Sequence, residues 1–254
     1  MKTIVAIKQV PARDSAVRVA PDGKRVEAED STFEINEPDA YALEAGLVLK
    51  EKHGGEVVVL CAGPARAAST IREALAKGAD RAIHVECDDL ESQDTLAVAR
   101  LLAGALSGEK PDLILTGLQS DDLGLGQTGV VMAEILEIPH ATIVMEIEIE
   151  GPVVRVKREL EDGWFQKVEM PLPALVTIQS GIAKLRYATL MGIKKAKTKE
   201  IRRMLADLRG VAPSVAIRRV YVPEKKKQTR LISGRPEETA AALVDVLRSE
   251  VRVL

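Results

Sequence analysis

Four short apolar runs recur through the first half of the chain: Thr3-Ile-Val-Ala-Ile7, Glu56-Val-Val-Val-Leu-Cys61, Arg81-Ala-Ile-His-Val85 and Asp112-Leu-Ile-Leu-Thr116. Each reads as a strand buried on both faces, because the apolar residues are nearly continuous rather than alternating. Helical patterns lie between them. The first opens at Asn36, which suits the N-cap, with Pro38 in the first turn and Asp39 favourable near the N-terminus. Its apolar side is Ala42, Leu43, Ala45, Gly46, Leu47 and Leu49, and His53-Gly-Gly55 ends it. Ala62-Gly-Pro64 turns into a second helix over 65–77, which Gly78 stops. The third runs from a Ser92 cap to Leu106. Strands alternating with helices at this spacing predict βαβ units, right-handed crossovers and a parallel sheet covered on both faces.

That sheet has a loop to present. Gly117-Leu-Gln-Ser-Asp-Asp-Leu-Gly-Leu-Gly-Gln-Thr-Gly129 follows the fourth run and precedes a helical pattern containing Val130, Val131, Ala133, Ile135 and Leu136. A strand, a Gly-rich turn and a helix start aim backbone N–H groups at whatever lies above them, and a phosphate suits such a place. The backbone from Gly124 through Leu125, Gly126, Gln127 and Thr128 to Gly129 is therefore the candidate cradle. Asp121 and Asp122 are too acidic to face a phosphate, so they cap the turn or meet a ribose hydroxyl. The pattern is neither a P-loop nor the GxGxxG dinucleotide fingerprint, and a plain connection with no ligand is the competing interpretation. Ligands in open α/β sheets sit beyond the carboxyl ends of strands. That adds Ala6 to Asp14 and the stretch Asn36, Glu37, Pro38 and Asp39 as candidates. Capping by itself accounts for Asn36, and nucleotide contact is the alternative. Val17 to Val26, turning at Pro21-Asp-Gly23, reads as a surface hairpin.

After Pro139 the pattern changes. The segments 141–150, 152–159, 165–169 and 173–178 read as strands without helices between them, and several alternate polar with apolar residues. The fold class is thus α/β, a mostly parallel doubly wound sheet with an antiparallel extension and a C-terminal arm. Residues 1–205 form the nucleotide-binding domain and 206–254 the arm. Within the tail, Glu200 to Arg209 reads as a short helix ended by Gly210, Ser214 to Val222 as a strand, and Pro236 to Val246 as an amphipathic helix. Lys225 to Lys227 break the pattern.

Composition narrows the function classes. A formal net charge of −2 gives no drive toward nucleic acid or anionic membrane, and 2% aromatic residues leave little for base stacking. No apolar run approaches the ~20 residues of a membrane span. A strand pattern at the N-terminus without a leader, with only Cys61 and Cys87 as cysteines, predicts a cytoplasmic chain with free thiols. His53, His84 and His140 lack metal-ligand spacing and read as structural. No nucleophile–base pair stands out, so the chain reads as no enzyme.

Val156-Lys-Arg-Glu-Leu-Glu-Asp-Gly163, then Val168 and Pro173-Ala-Leu-Val-Thr177, resembles the signature of the small (beta) subunit of electron transfer flavoproteins. Arg186-Tyr-Ala-Thr-Leu190, followed by Ile193 and Lys194, Lys195, Lys197 and Lys199, resembles that family's partner-recognition loop. The first strand, Asn36, Ala62-Gly-Pro64, Gly78-Ala-Asp80 and Gln127-Thr-Gly129 extend the resemblance over most of the chain. It implies a heterodimer whose alpha (large) subunit makes most contacts to a redox-active FAD, while this chain buries a structural AMP. It also implies single-electron transfer from flavin-dependent dehydrogenases such as the acyl-CoA dehydrogenases of fatty acid oxidation. By position, AMP contacts would fall at Ala6, Asn36 to Asp39, Ala62 and Asp122 to Gly129. Docking would fall on a loop near 184–199, at Tyr187, Leu190, Met191, Ile193, Lys194, Lys195 and Lys197. There an apolar anchor stands among eight basic residues between Lys184 and Arg203. A basic helix with Leu190 tucked into the core is the alternative.

Two departures are visible. Leu123-Gly-Leu-Gly126 stands where the family often carries more acid, and Arg13 stands where some members have an aromatic residue. An electron-bifurcating subset binds a second FAD in place of AMP, with loops resembling Asp-Gly-Asp-Thr-Ala-Gln-Val-Gly; Gln127-Thr-Gly129 is closer to the AMP type. An adenylate-forming enzyme would show Ser-Gly-Gly-x-Asp-Ser after the first strand, where this chain has Lys8-Gln-Val-Pro-Ala-Arg13. A stand-alone adenine-nucleotide module would have no use for the signature or the basic loop.

Overall fold

In the computed structural model, residues 1–27, 32–208, 213–224 and 229–253 are described. The chain divides into two compact units, Met1–Val220 and Tyr221–Leu254. The first is built on a nine-stranded sheet. Its parallel strands are β1 (Lys2–Ala6), β6 (Glu56–Gly63), β7 (Arg81–Glu86), β8 (Leu113–Gly117), β12 (Ala174–Ile178) and β13 (Ile201–Leu205). Two short antiparallel pairs lie outside it: β2 (Gln9–Pro11) with β5 (Phe33–Ile35), and β3 (Arg18–Val19) with β4 (Val26–Glu27), the hairpin read at Pro21-Asp-Gly23. The remaining strands, β9 (His140–Glu150), β10 (Val153–Glu159) and β11 (Phe165–Pro171), form an antiparallel meander. The sheet order is β11-β10-β9-β12-β8-β1-β6-β7-β13.

Helices cover both faces. α1 (Glu37–His53) and α2 (Ala68–Lys77) lie over one core, with Leu43, Ile71 and Leu75 packed on Val5, Val59 and Leu115. α3 (Thr95–Ala105) and α4 (Thr128–Ile135) cover the other, where Leu102 and Met132 meet Ile4, Leu60 and Ile114. From β1 the chain crosses to β6 and β7 on one side, then returns through α3 to place β8 on the other side of β1. Connections therefore leave the carboxyl ends of β1 and β8 in opposite directions. A crevice opens at such a switch point, and the Gly-rich loop stands there.

Four expectations change. The helix expected over 200–209 is instead β13, paired in parallel with β7. The edge of β7 offers unpaired backbone groups, and Ala82 N–H bonds to Glu200 O while Ala206 N–H bonds to Glu86 O. Those pairings, with Ile201 and Met204 packing on the two cores, override a local preference that is only a weak prior. The expected stop at Arg209-Gly210 lies outside the described residues, as does Lys225 to Lys227. Second, β12 does not belong to the antiparallel extension. It sits between β8 and β9, parallel to both and wholly buried. Third, α3 is capped by Asp94, whose carboxylate accepts from Ala97 N–H at 2.9 Å, and not by Ser92. Fourth, 214–222 forms no strand. Ser214 and Val215 N–H instead bond to the second oxygen of Asp94, and Val220 N–H to Gly23 O.

In the second unit, a helix α6 (Pro236–Val246) starts with Pro236 in its first turn and Glu238 bonded back to Arg235 N–H. No described helix is long and apolar enough to cross a membrane. Leu115 is fully buried between β1 and β12 in the middle of the sheet. Leu115→Ala should lower unfolding stability by about 2–5 kcal/mol, measured as a shift of the denaturant midpoint with an unchanged m-value.

Candidate functional site

The crevice is held together by two side chains from the first residues of α1. Asp39 is buried, and its carboxylate accepts from Lys8 N–H at 2.7 Å and from Gly117 N–H at 2.9 Å. One group thus clamps the chain leaving β1 to the last residue of β8. The approach is so close that a Cβ at Gly117 would collide with Asp39 and the carbonyl carbon of Pro38. Only glycine fits, because the atoms in the way are largely backbone.

Asn36 occupies the N-cap position, and its carbonyl accepts from Ala40 N–H. Its side chain does not cap the helix. Being 1% exposed, the amide instead donates from Nδ2 to Gln119 O at 2.9 Å and accepts at Oδ1 from Asp121 N–H at 2.8 Å. Both ends of the amide grip the Gly-rich loop. The capping expectation for its side chain is corrected accordingly: the loop backbone is a better-matched partner, offering a donor and an acceptor two residues apart.

Charged contacts complete the loop. Lys8 Nζ meets Asp122 at 2.6 Å, and Asp122 Oδ1 also accepts from Leu123 N–H at 2.8 Å. Burial pushes the Asp122 carboxyl up, yet the Lys8 ammonium outweighs that and holds it below the ordinary carboxylate range. Arg13 pairs with Glu37 and lies 3.8 Å from Asp121. Lys8 and Arg13 carry loop acids that the sequence left without partners. The detectable signal was a cation just past the end of β1, facing an acid pair on the neighbouring strand end.

The glycines of the loop divide by role. Gly124 and Gly126 have φ of +62° and +64°, and a Cβ there would meet only ordinary contacts, Ser120 O at 4.0 Å and Leu118 O at 3.6 Å. Such left-handed turns favour glycine and leave backbone exposed to an approaching group. Gly129 differs: a Cβ there would strike Thr116 Oγ1 and Thr177 Cγ2, so this glycine seats α4 on β8 and β12. Gln127 is the N-cap residue of α4 and does not close the helix end with its own side chain. Leu123 and Leu125 stand exposed on the rim. Ala6 ends β1, and Ala62 lies one residue from the end of β6, so both stand at the same end of the sheet. Cys61 below them is a buried free thiol, pushed up to about 12 by burial. His84 is buried, with Nε2 3.0 Å from Gly63 O.

The second candidate region is a separate surface. α5 (Leu190–Ala196) is capped by Thr189, whose Oγ1 accepts from Gly192 N–H at 3.0 Å. Tyr187 is 93% and Leu190 88% exposed, and Met191 and Ile193 are exposed beside them. Leu190 is therefore not tucked into the core. The basic run is less open than its count suggests. Arg186 is bound by Glu44 at 2.8 Å and Glu51 at 2.7 Å, and Arg202 by Glu109 at 2.9 Å. Lys199 donates to the carbonyls of Leu75 and Ala79. Lys184, Lys194, Lys195, Lys197 and Arg203 remain exposed.

Comparison with known proteins agrees with the layout. An electron transfer flavoprotein domain model matches residues 25–208. The chain is 39% identical to the electron transfer flavoprotein subunit beta of Methylophilus methylotrophus over 97% of this chain and 98% of that protein. It is 34% identical to the Bacillus subtilis subunit beta over 95% and 96%, and 37% identical to that of Sus scrofa over 100% and 99%.

Asp39 gives the site a pH signature. Burial raises its pKa from 3.8 to about 7, against the lowering effect of the Lys8 and Gly117 N–H groups, Asn36 and the Lys8 charge. The unfolded chain loses this proton at the lower value and the folded chain at the higher one. Between them the folded state holds the extra proton, so stability falls as pH rises from about 4 to about 7. Asp39→Asn should remove up to about 1.4 kcal/mol per pH unit from that slope, read from denaturation midpoints across the range.

Proposed function

The chain belongs to the electron transfer flavoprotein family as a small, or beta, subunit, and on that premise we propose that it binds a structural AMP and docks flavin-dependent dehydrogenases. The family members it matches are subunits of electron carriers, not self-sufficient enzymes. Its partner is the alpha subunit, which holds most of a redox-active FAD, and electrons pass through that flavin. This chain positions the assembly.

The observation that carries the AMP assignment is the shape of the loop. The left-handed turns at Gly124 and Gly126 put no side chain into the loop, and the start of α4 is not closed by its cap residue's side chain. N–H groups and the positive end of a helix dipole there favour a phosphate. Asn36 and Asp39 hold the loop and the strand ends with their side chains, which sets the loop's position at the nucleotide. Ala6 and Ala62 supply small side chains at the rim where an adenosine lies. Asp122, anchored by Lys8, keeps one carboxylate edge toward a ribose. On the second surface, Tyr187, Leu190, Met191 and Ile193 form an apolar anchor for a dehydrogenase pocket, and Lys194, Lys195 and Lys197 steer the encounter. Of the C-terminal segment, 206–254, Ala206, Ser214, Val215 and Val220 bond to the first unit, so the arm that packs on the alpha subunit is 221–254. The exposure of Leu243 and Val244 on α6 supports that role.

Nucleotide content tests the first assignment. The heterodimer, denatured after purification, should release one FAD and one AMP. Two FAD and no AMP would make it a candidate bifurcating complex, and no nucleotide besides the large subunit's FAD would leave the loop a plain connection. Docking is tested by Lys194→Glu, Lys195→Glu and Lys197→Glu together. The triple variant should slow electron transfer from an acyl-CoA dehydrogenase by roughly ten- to a hundredfold at low ionic strength, with the difference shrinking as salt is added. A rate equal to wild type at every salt concentration would refute electrostatic docking through α5.

A further inference from the structure

α5 has seven residues and buries one of them, Ala196. An isolated helix of that length does not hold its own shape in water, so its direction is set from outside. The setting comes from α2. Arg72, half-buried on α2, donates from Nη1 to Ala196 O and to Lys199 O, the latter at 2.8 Å. Lys199, just after α5, donates from Nζ to Leu75 O at 2.9 Å and to Ala79 O. Each helix end thus has its last carbonyls met by a cation from the other's segment, the favourable sign for a C-terminus. Gly192 closes the arrangement. A Cβ there would run into the Ala76 carbonyl oxygen, a backbone atom that cannot step aside.

We propose that Arg72, with Lys199 and Gly192, is a positioning device for dehydrogenase docking: it aims Leu190 outward without itself touching the partner. The inference rests on the docking role of α5 proposed above. It separates the basic residues of this region into two sets. Lys194, Lys195 and Lys197 face solvent and act on encounter, whereas Lys199 is turned inward and acts on helix geometry.

The test uses the purified heterodimer carrying Arg72→Met, Arg72→Lys, Gly192→Ala or Leu190→Ala. Amide hydrogen exchange and steady-state reduction by an acyl-CoA dehydrogenase are the two readouts. In Arg72→Met, amides of 190–196 should exchange at least about tenfold faster while those of α1 stay unchanged. The KM for the heterodimer should rise about tenfold with kcat within about twofold, because the loss is in recognition rather than in the electron-transfer step. FAD and nucleotide content should match wild type. Arg72→Lys keeps a cation and a donor and should recover most of both changes. Gly192→Ala should reproduce the KM increase, and it supplies the reading should Arg72→Met fail to assemble. If Leu190→Ala raises KM and neither Arg72→Met nor Gly192→Ala does, the positioning role is wrong and docking stands. If Leu190→Ala leaves KM at the wild-type value, docking through α5 is wrong and the positioning role falls with it.

Discussion

A single buried carboxylate connects the layers of this fold at the point where they matter. Asp39 bonds the backbone just beyond β1 and the last residue of β8, and it sits in the first turn of α1. Without it, the N–H groups of Lys8 and Gly117 would lose their acceptor, each at a cost on the order of 1–3 kcal/mol where buried. The same burial that makes those bonds valuable opposes the charge that accepts them, which is why the group titrates near neutrality. Gly117 is the complementary constraint: the carboxylate reaches both donors because no side chain stands between α1 and β8.

The Gly-rich loop inherits its shape from that junction. Asn36 holds it at Gln119 and Asp121, Lys8 at Asp122, and Gly129 seats the helix that follows. Gly124 turns back within the loop, its N–H bonded to Ser120 O at 2.8 Å, and Gly126 makes a second left-handed turn. The arrangement commits the polar side chains of this junction to the scaffold. The face of α5 follows the same division, with Leu190 exposed and Ala196 and Lys199 engaged with α2.

Much of the fold was legible because its signals are local. The runs at Ile4, Val58, Ile83 and Ile114 are strands buried on both faces, and their continuity of apolar residues announces that burial in any context. The hairpins at Gly23 and Gly151 were legible from turn chemistry. Apart from the cap of α3, where Asp94 stands two residues past the expected Ser92, errors fell where the deciding partner is remote. Residues 201–205 became a strand because the edge of β7 was open, which no window around Arg202 reveals. β12 joined the parallel sheet because β8 and β9 flank it, although its sequence neighbours form a meander. The family resemblance pointed to Asn36 and Asp39 but could not distinguish a side chain that touches a ligand from one that holds the loop.

The amino-acid sequence by itself determined that this chain builds a parallel, helix-covered sheet and that a Gly-rich loop leaves one of its strands, because apolar periodicity and glycine content act over a few residues. The tertiary structure decided what each polar group does. Asp39 lies 78 residues from Gly117 and Asn36 83 from Gln119, and Arg72 lies 127 from Lys199. Hydrogen-bond partners at such separations are chosen by how layers stack, so the commitment of Asn36, the inward turn of Lys199 and the outward aim of Leu190 exist only in the assembled fold.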